Sequence, residues 1–245
     1  MSEAATPSSP SAPPQPAAAT GRYGFWRAVV RLGFRFASRK IRLLAARDAP
    51  ISGAAILSVS QPAGFFDALV LVAAFERPLR CLLDADLLPG FWRAWLGRRL
   101  GMIPYHRAPA RWPAALPEVF EALRNHEAVA VFAEPAVAEA RGAPSPVHRA
   151  SRLALEAEAR HPGALLLPVH VFLPMAGAAT KETLIYVAAP VDPRAHLQSA
   201  GGDVRVALQS LEQALETAFA PNAFGMERPD IELFLKDLEE VLRSD

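Results

Sequence analysis

The chain has 245 residues, of which 51% are hydrophobic, with a single cysteine and a formal net charge of +1. A mean hydropathy of +0.14 excludes a largely disordered chain and permits a sizeable core. The lone Cys81 excludes an internal disulfide framework and reads as a small buried hydrophobe.

Residues 1–21, MSEAATPSSPSAPPQPAAATG, are a Pro/Ala/Ser tail with too little apolar surface to bury. No charged stretch followed by an apolar core opens the chain as a signal peptide would. No apolar run reaches the roughly 18 residues needed to cross a bilayer. Residues 22–49 form a basic amphipathic helical segment. Within them Arg22, Arg27, Arg31, Arg35, Arg39, Lys40, Arg42 and Arg47 meet no acid up to residue 47, a local charge of +8 that leaves −7 for the rest of the chain. On a helical wheel over 24–46, at about 100° per residue, Arg27, Arg31, Arg35, Arg39 and Arg42 share an arc of about 120°. Phe25, Trp26, Val29, Val30, Leu32, Phe34, Phe36, Leu43 and Leu44 take the other side. Such a helix can lie in a membrane interface with its arginines on anionic lipid, or pack its apolar face on the domain and solvate its arginines. Different turns can do each. The expected location is therefore cytoplasmic, peripheral at the inner face of the membrane. Nucleic acid is not an expected partner: no aromatics interleave the arginine face, and the remainder is acidic.

From about residue 50 to 220, strand and helix patterns alternate, predicting an α/β domain with a mixed sheet flanked by helices. Ala54–Val59 reads as a strand and Asp67–Phe75 as a helix with Asp67 near its cap. Leu79–Leu83 is a strand, Phe91–Leu100 a helix, and Met102–Tyr105 a short apolar piece. Leu116–Asn125 is helical, Ala128–Phe132 a strand and Val147–Arg160 a helix. Leu165–Phe172 and Leu184–Ala188 are strands, and Val204–Ala220 is an amphipathic helix. Residues 221–245 hold a last helix, Ile231–Leu242, introduced by Pro229 and Asp230.

Four short motifs carry chemistry. In SVSQPAGFFDALVLV, Ser58 to Val72, the polar pair Ser60-Gln61 ends a strand and Asp67 follows after a Pro/Gly turn. The second motif is GMIPYHR, Gly101 to Arg107, and the third is Phe132-Ala133-Glu134-Pro135. The fourth is a strand through Pro168-Val169. Their order resembles that of the phospholipid/glycerol acyltransferase family, which includes lysophosphatidic acid acyltransferases, over roughly residues 50 to 195. The resemblance implies a histidine at the Gln61 place acting as general base, with Asp67 orienting it, for attack of an acceptor hydroxyl on the thioester of acyl-CoA or acyl-carrier protein. It also implies that Tyr105, His106, Arg107 and Glu134 contact a glycerophosphate or lysophospholipid. It implies no metal and no cofactor. The three loops ending in Gln61, Arg107 and Pro135 are expected to converge on one cleft.

This chain departs from that pattern at its chemical centre. Gln61 is an amide that can hold a hydroxyl and cannot take its proton. Pro135, where the family has glycine, lacks a backbone N–H that a phosphate loop would use, and Ala133 replaces a proline. The expected protein is a catalytically impaired member, a pseudoenzyme that binds lipid or regulates at a membrane surface. The alternative is an active glycerolipid acyltransferase with a substituted base, Asp67 or His106, with His170 next. Plainer roles stand beside these: a helix cap for Asp67, a surface ion pair for Arg107, an arginine partner for Glu134, and packing or membrane-facing positions for Phe91, Trp92 and Trp95.

Overall fold

The structure, a computed structural model, describes residues 20–36, 40–46, 53–62, 64–88, 90–106, 112–133, 146–172 and 182–220. The tail up to residue 19, the helix expected at Ile231–Leu242, Arg107, Glu134 and Pro135 lie outside the described residues. In chain order the elements are α1 (Thr20–Phe36), β1 (Lys40–Ala45), β2 (Ala55–Pro62), α2 (Phe65–Ala74), β3 (Leu79–Asp84), α3 (Phe91–Arg99) and β4 (Ile103–Tyr105). Then come α4 (Leu116–Arg124), β5 (Ala128–Ala133), α5 (Pro146–Arg160), β6 (Leu165–Phe172), β7 (Glu182–Val187), α6 (Pro193–Ser199) and α7 (Val204–Phe219).

The seven strands form one mixed sheet in the order β1-β7-β6-β2-β5-β3-β4. The run β6-β2-β5-β3-β4 is parallel; β7 lies antiparallel to β6, and β1 parallel to β7. The inner strands are continuous apolar runs because both faces of the sheet are covered. Side chains alternate: Ala55, Leu57 and Val59 of β2 join a core under α1, α2 and α3, while Ile56 joins a second core under α4, α5 and α7. Cys81 is wholly buried in the first core, and burial pushes its thiol up to about 12.

Short-range chemistry sets the helix starts. Asp203 caps α7 by accepting from the N–H groups of Arg205 and Val206 at 2.8 and 3.3 Å. Asp192 does the same for α6 through Arg194 N–H at 2.9 Å, with Pro193 at the first helical position.

The N-terminal segment differs from its wheel. The helix ends at Phe36, and Lys40–Ala45, expected within the helical segment, instead adds an edge strand along β7 from Lys40↔Glu182 to Ala45↔Val187. The reason is tertiary: an open strand edge offers unpaired backbone groups, and a helical wheel cannot see a partner some 140 residues away. Within α1 the apolar residues divide. Val30 is buried, and Tyr23, Trp26 and Phe34 pack half-buried against the first core. Phe25 (61% exposed), Val29, Leu32 (53%) and Phe36 (82%) face solvent. At about 100° per residue this second stripe is turned roughly 135° from the packed one. Arg27 donates to the Phe75 carbonyl at 3.0 Å, and the Tyr23 hydroxyl accepts from Leu79 N–H at 3.1 Å, which fixes α1 against the starts of the strands.

Candidate functional site

Four parallel strands end side by side. Pro62 of β2 stands beside Ala133 of β5, Leu82 of β3 beside Val131, and Asp84 beside Tyr105 of β4. At about 4.8 Å per strand, β2 and β4 lie roughly 14 Å apart. Ser60, the backbone of Gln61, the first turn of α2, and Tyr105-His106 therefore share one margin of the sheet, the carboxyl edge. The described parts of the first three motifs thus meet this edge, while Arg107, Glu134 and Pro135, the ends of two of them, lie outside the described residues. Gly101 is different: it lies at the opposite, amino edge, because β4 carries the second motif up the sheet.

Asp67 is half-buried in the first turn of α2, and its Oδ2 accepts from Gly64 N–H at 2.8 Å. Among the described residues that is its one hydrogen-bond partner. The carboxylate thus satisfies a backbone donor at the helix start. A Cβ at position 64 would come within 2.6 Å of Asp67 Oδ2, so a larger residue there would displace the carboxylate.

Tyr105 belongs to the second core. Its hydroxyl accepts from Arg149 Nη1 at 3.1 Å, and the Arg149 guanidinium stands 5.2 Å from the ring centroid. His106, the next residue, is exposed. His170 is buried in β6 with Nε2 at 3.1 Å from the Ala218 carbonyl, its ring among Phe172 and Phe219. Burial holds its imidazole below the usual histidine range, against an opposing pull from the Ala218 hydrogen bond. His170 serves the interior of the domain. His148 pairs with Glu212 of α7, and His196 with Ser210 at 2.7 Å.

Two buried charges at this edge escape sequence reasoning. Asp84, 3% exposed, ends β3 and accepts from Asp86 N–H at 3.1 Å. Arg149, 8% exposed, sits in the first turns of α5. An acid ending the apolar run LRCLLD could have flagged Asp84. Nothing local distinguishes Arg149 from the solvated charges of its helix, since Tyr105 lies 44 residues away.

Exposed aromatics flank the edge. Phe66 at the start of α2, and Phe91 (81%) and Trp92 (53%) at the start of α3, face solvent. Phe65 packs edge-on to Trp92 beneath them, with Arg93 over both rings. Trp95, one turn on, packs edge-on to Trp26 of α1 at 4.8 Å.

The fold and edge define an α/β domain with a mixed seven-stranded sheet, helices on both faces and its sequence motifs at the carboxyl ends of the parallel strands. No model of a protein family matches the chain, and no curated protein matches it. Among solved structures it is similar to the crystal structure of the 1-acyl-sn-glycerophosphate (LPA) acyltransferase PlsC from Thermotoga maritima, at 17% identity, covering 81% of this chain and 80% of that one, with a TM-score of 0.46. A likeness that slight carries no chemistry from one chain to the other. Among the described residues no helix is long and apolar enough to cross a membrane, and no cluster of metal-ligating side chains occurs.

Proposed function

We propose that this chain is a glycerolipid acyltransferase-like protein that has lost ordinary acyl transfer and acts as a lipid-binding or regulatory protein at a membrane surface. One observation carries the loss: the strand-end position that needs a titrating base holds Gln61, and Asp67, the carboxylate that would orient a base, has only Gly64 N–H on its Oδ2, at 2.8 Å, among the described residues. An amide does not titrate, and general base catalysis contributes roughly 10²- to 10⁴-fold. Pro135 further removes an N–H from the loop that would hold phosphate. The four motifs in order support the acyltransferase-like reading. Arg107 remains in sequence to contact a phosphate headgroup.

Membrane association draws on α1. Its outward stripe of Phe25, Val29, Leu32 and Phe36 is exposed, and so are Arg31 and Arg35 on the same helix. The protein would sit peripherally, at the cytoplasmic face.

Vesicle co-sedimentation combined with a transfer assay tests the proposal. The full chain is expected to bind anionic vesicles, to release in high salt as its arginines are screened, and to leave labelled acyl-CoA and lysophosphatidic acid unconverted. Equal binding to neutral and anionic vesicles would remove the membrane role. Rapid conversion would remove the loss of catalysis.

A further inference from the structure

The amino edge of the sheet holds a concavity that the motifs touch through Gly101 alone. The start of α1, the end of α3 and the start of β3 enclose a cavity of about 480 Å³, within the range of small-molecule sites. Its charged lining is Arg22, Arg80, Arg98 and Arg99 against one carboxylate, Glu127. That carboxylate is already committed: it is 2% exposed, and its two oxygens accept from Arg80 at 2.6 and 3.4 Å. Arg22, Arg98 and Arg99 have no carboxylate partner among the described residues, which leave about three positive charges of the cavity uncompensated.

A purely structural origin accounts for part of this. Arg98 and Arg99 lie in the last turn of α3, where cations favour the carbonyl end of a helix. It does not account for Arg22, which comes from the start of a different helix to line the same hollow. Like charges converge against Coulomb repulsion. Guanidinium forks pair with oxyanions in planar, two-pronged geometry. A phosphate monoester brings close to two negative charges and three acceptor oxygens, which suits three arginines better than a carboxylate with one charge. The Tyr23 hydroxyl, which accepts from Leu79 N–H, keeps its own proton to donate. Trp95, with Arg99 5.2 Å from its ring, supplies an aromatic wall for the organic part.

We propose that this cavity binds a phosphate monoester, held by Arg22, Arg98 and Arg99 with its organic group against Trp95. The monoester comes either from a soluble molecule or from the headgroup of a phosphatidic-acid-type lipid beneath α1. The site lies at the opposite sheet edge from Gln61, so it stands or falls independently of the acyltransferase-like reading.

Binding of the full chain to phenyl phosphate by calorimetry, and to vesicles of phosphatidylcholine doped with phosphatidic acid or phosphatidylserine, tests it. Arg22→Ala, Arg98→Ala and Arg99→Ala are each expected to weaken monoester binding about tenfold or more, as loss of a charge-assisted hydrogen bond does. Arg205→Ala, at an exposed position on α7 across the sheet, is expected to leave binding unchanged. Arg98 is exposed, so its substitution should leave the fold intact, which the melting temperature checks. Phenyl phosphate binding identifies a soluble monoester. A preference for phosphatidic acid over phosphatidylserine at equal charge, lost in Arg98→Ala, identifies the lipid. The proposal is overturned if no monoester probe binds, or if Arg205→Ala weakens binding as much as the cavity variants do.

Discussion

The two edges of the sheet are built from opposite materials. At the carboxyl edge three of the described polar groups are turned inward to the fold: Asp67 onto Gly64 N–H, Tyr105 onto Arg149, Asp84 onto Asp86 N–H. At the amino edge one ion pair, Arg80 with Glu127, is saturated, and three further arginines stand around open space. A residue type that suggests catalysis in a sequence is thus found holding the chain together, while charge that a composition reading assigns to a solvated helix is gathered around a cavity.

The contrast can be broken most forcefully at the saturated pair. Arg80→Ala takes both hydrogen bonds from the buried Glu127 and leaves it only the charge of Arg77, and is expected to cost about 3 kcal/mol, lowering the melting temperature by roughly 6–12 °C for a domain of this size. A loss below about 1 kcal/mol in urea titration would mean that the amino edge is not organised by this pair. Gly101→Ala comes next. Gly101 has φ of +68°, and a Cβ there would stand 2.6 Å from Arg80 Nη1. The left-handed backbone alone costs about 1–2 kcal/mol, so the glycine of the second motif is required by the fold at the amino edge.

A smaller effect sharpens the reading of the carboxyl edge. Asp67→Ala is expected to destabilise by about 1 kcal/mol, as the loss of a side-chain partner at a helix start does, with Asp67→Asn milder because its amide oxygen still accepts. An unchanged melting temperature in Asp67→Ala would free the carboxylate for chemistry. The smallest effect is one of pH. The folded state holds His170 below its unfolded range near 6.5, so it binds fewer protons than the unfolded chain as pH falls. This contribution to stability is fully present above about 6.5 and declines below it, toward the lower folded value. His170→Phe should flatten that slope between pH 7.5 and 5.5 in urea titrations; an unaltered slope would place the titrating group elsewhere.

Much of the fold was legible in the residues. Apolar runs such as Leu165–Phe172 and amphipathic patterns such as Val204–Ala220 declare themselves locally, because burial on one or both faces writes a period into the chain. What stayed hidden depends on distant partners. Lys40–Ala45 reads as helix until β7 offers it an edge, and α6 is too short to leave a period. At the site, the cap role of Asp67 follows from its spacing to Gly64, whereas the convergence of Arg22 with Arg98 and Arg99 joins positions more than seventy residues apart. Arg107 and Glu134 fall outside the described residues, so the substrate contacts implied for them rest on sequence alone.

The central claim is that the strand-end position of the carboxyl edge lacks its base because residue 61 is glutamine. Its most direct test is acyl transfer from labelled acyl-CoA to lysophosphatidic acid by wild type, Gln61→His, Pro135→Gly and the double variant. Loss of a base acting with its carboxylate can cost up to about 10⁶ in turnover. Wild type and Pro135→Gly are therefore expected at background, Gln61→His at a trace, and the double variant above either. Robust transfer by the wild type, abolished by Asp67→Asn, would contradict the account.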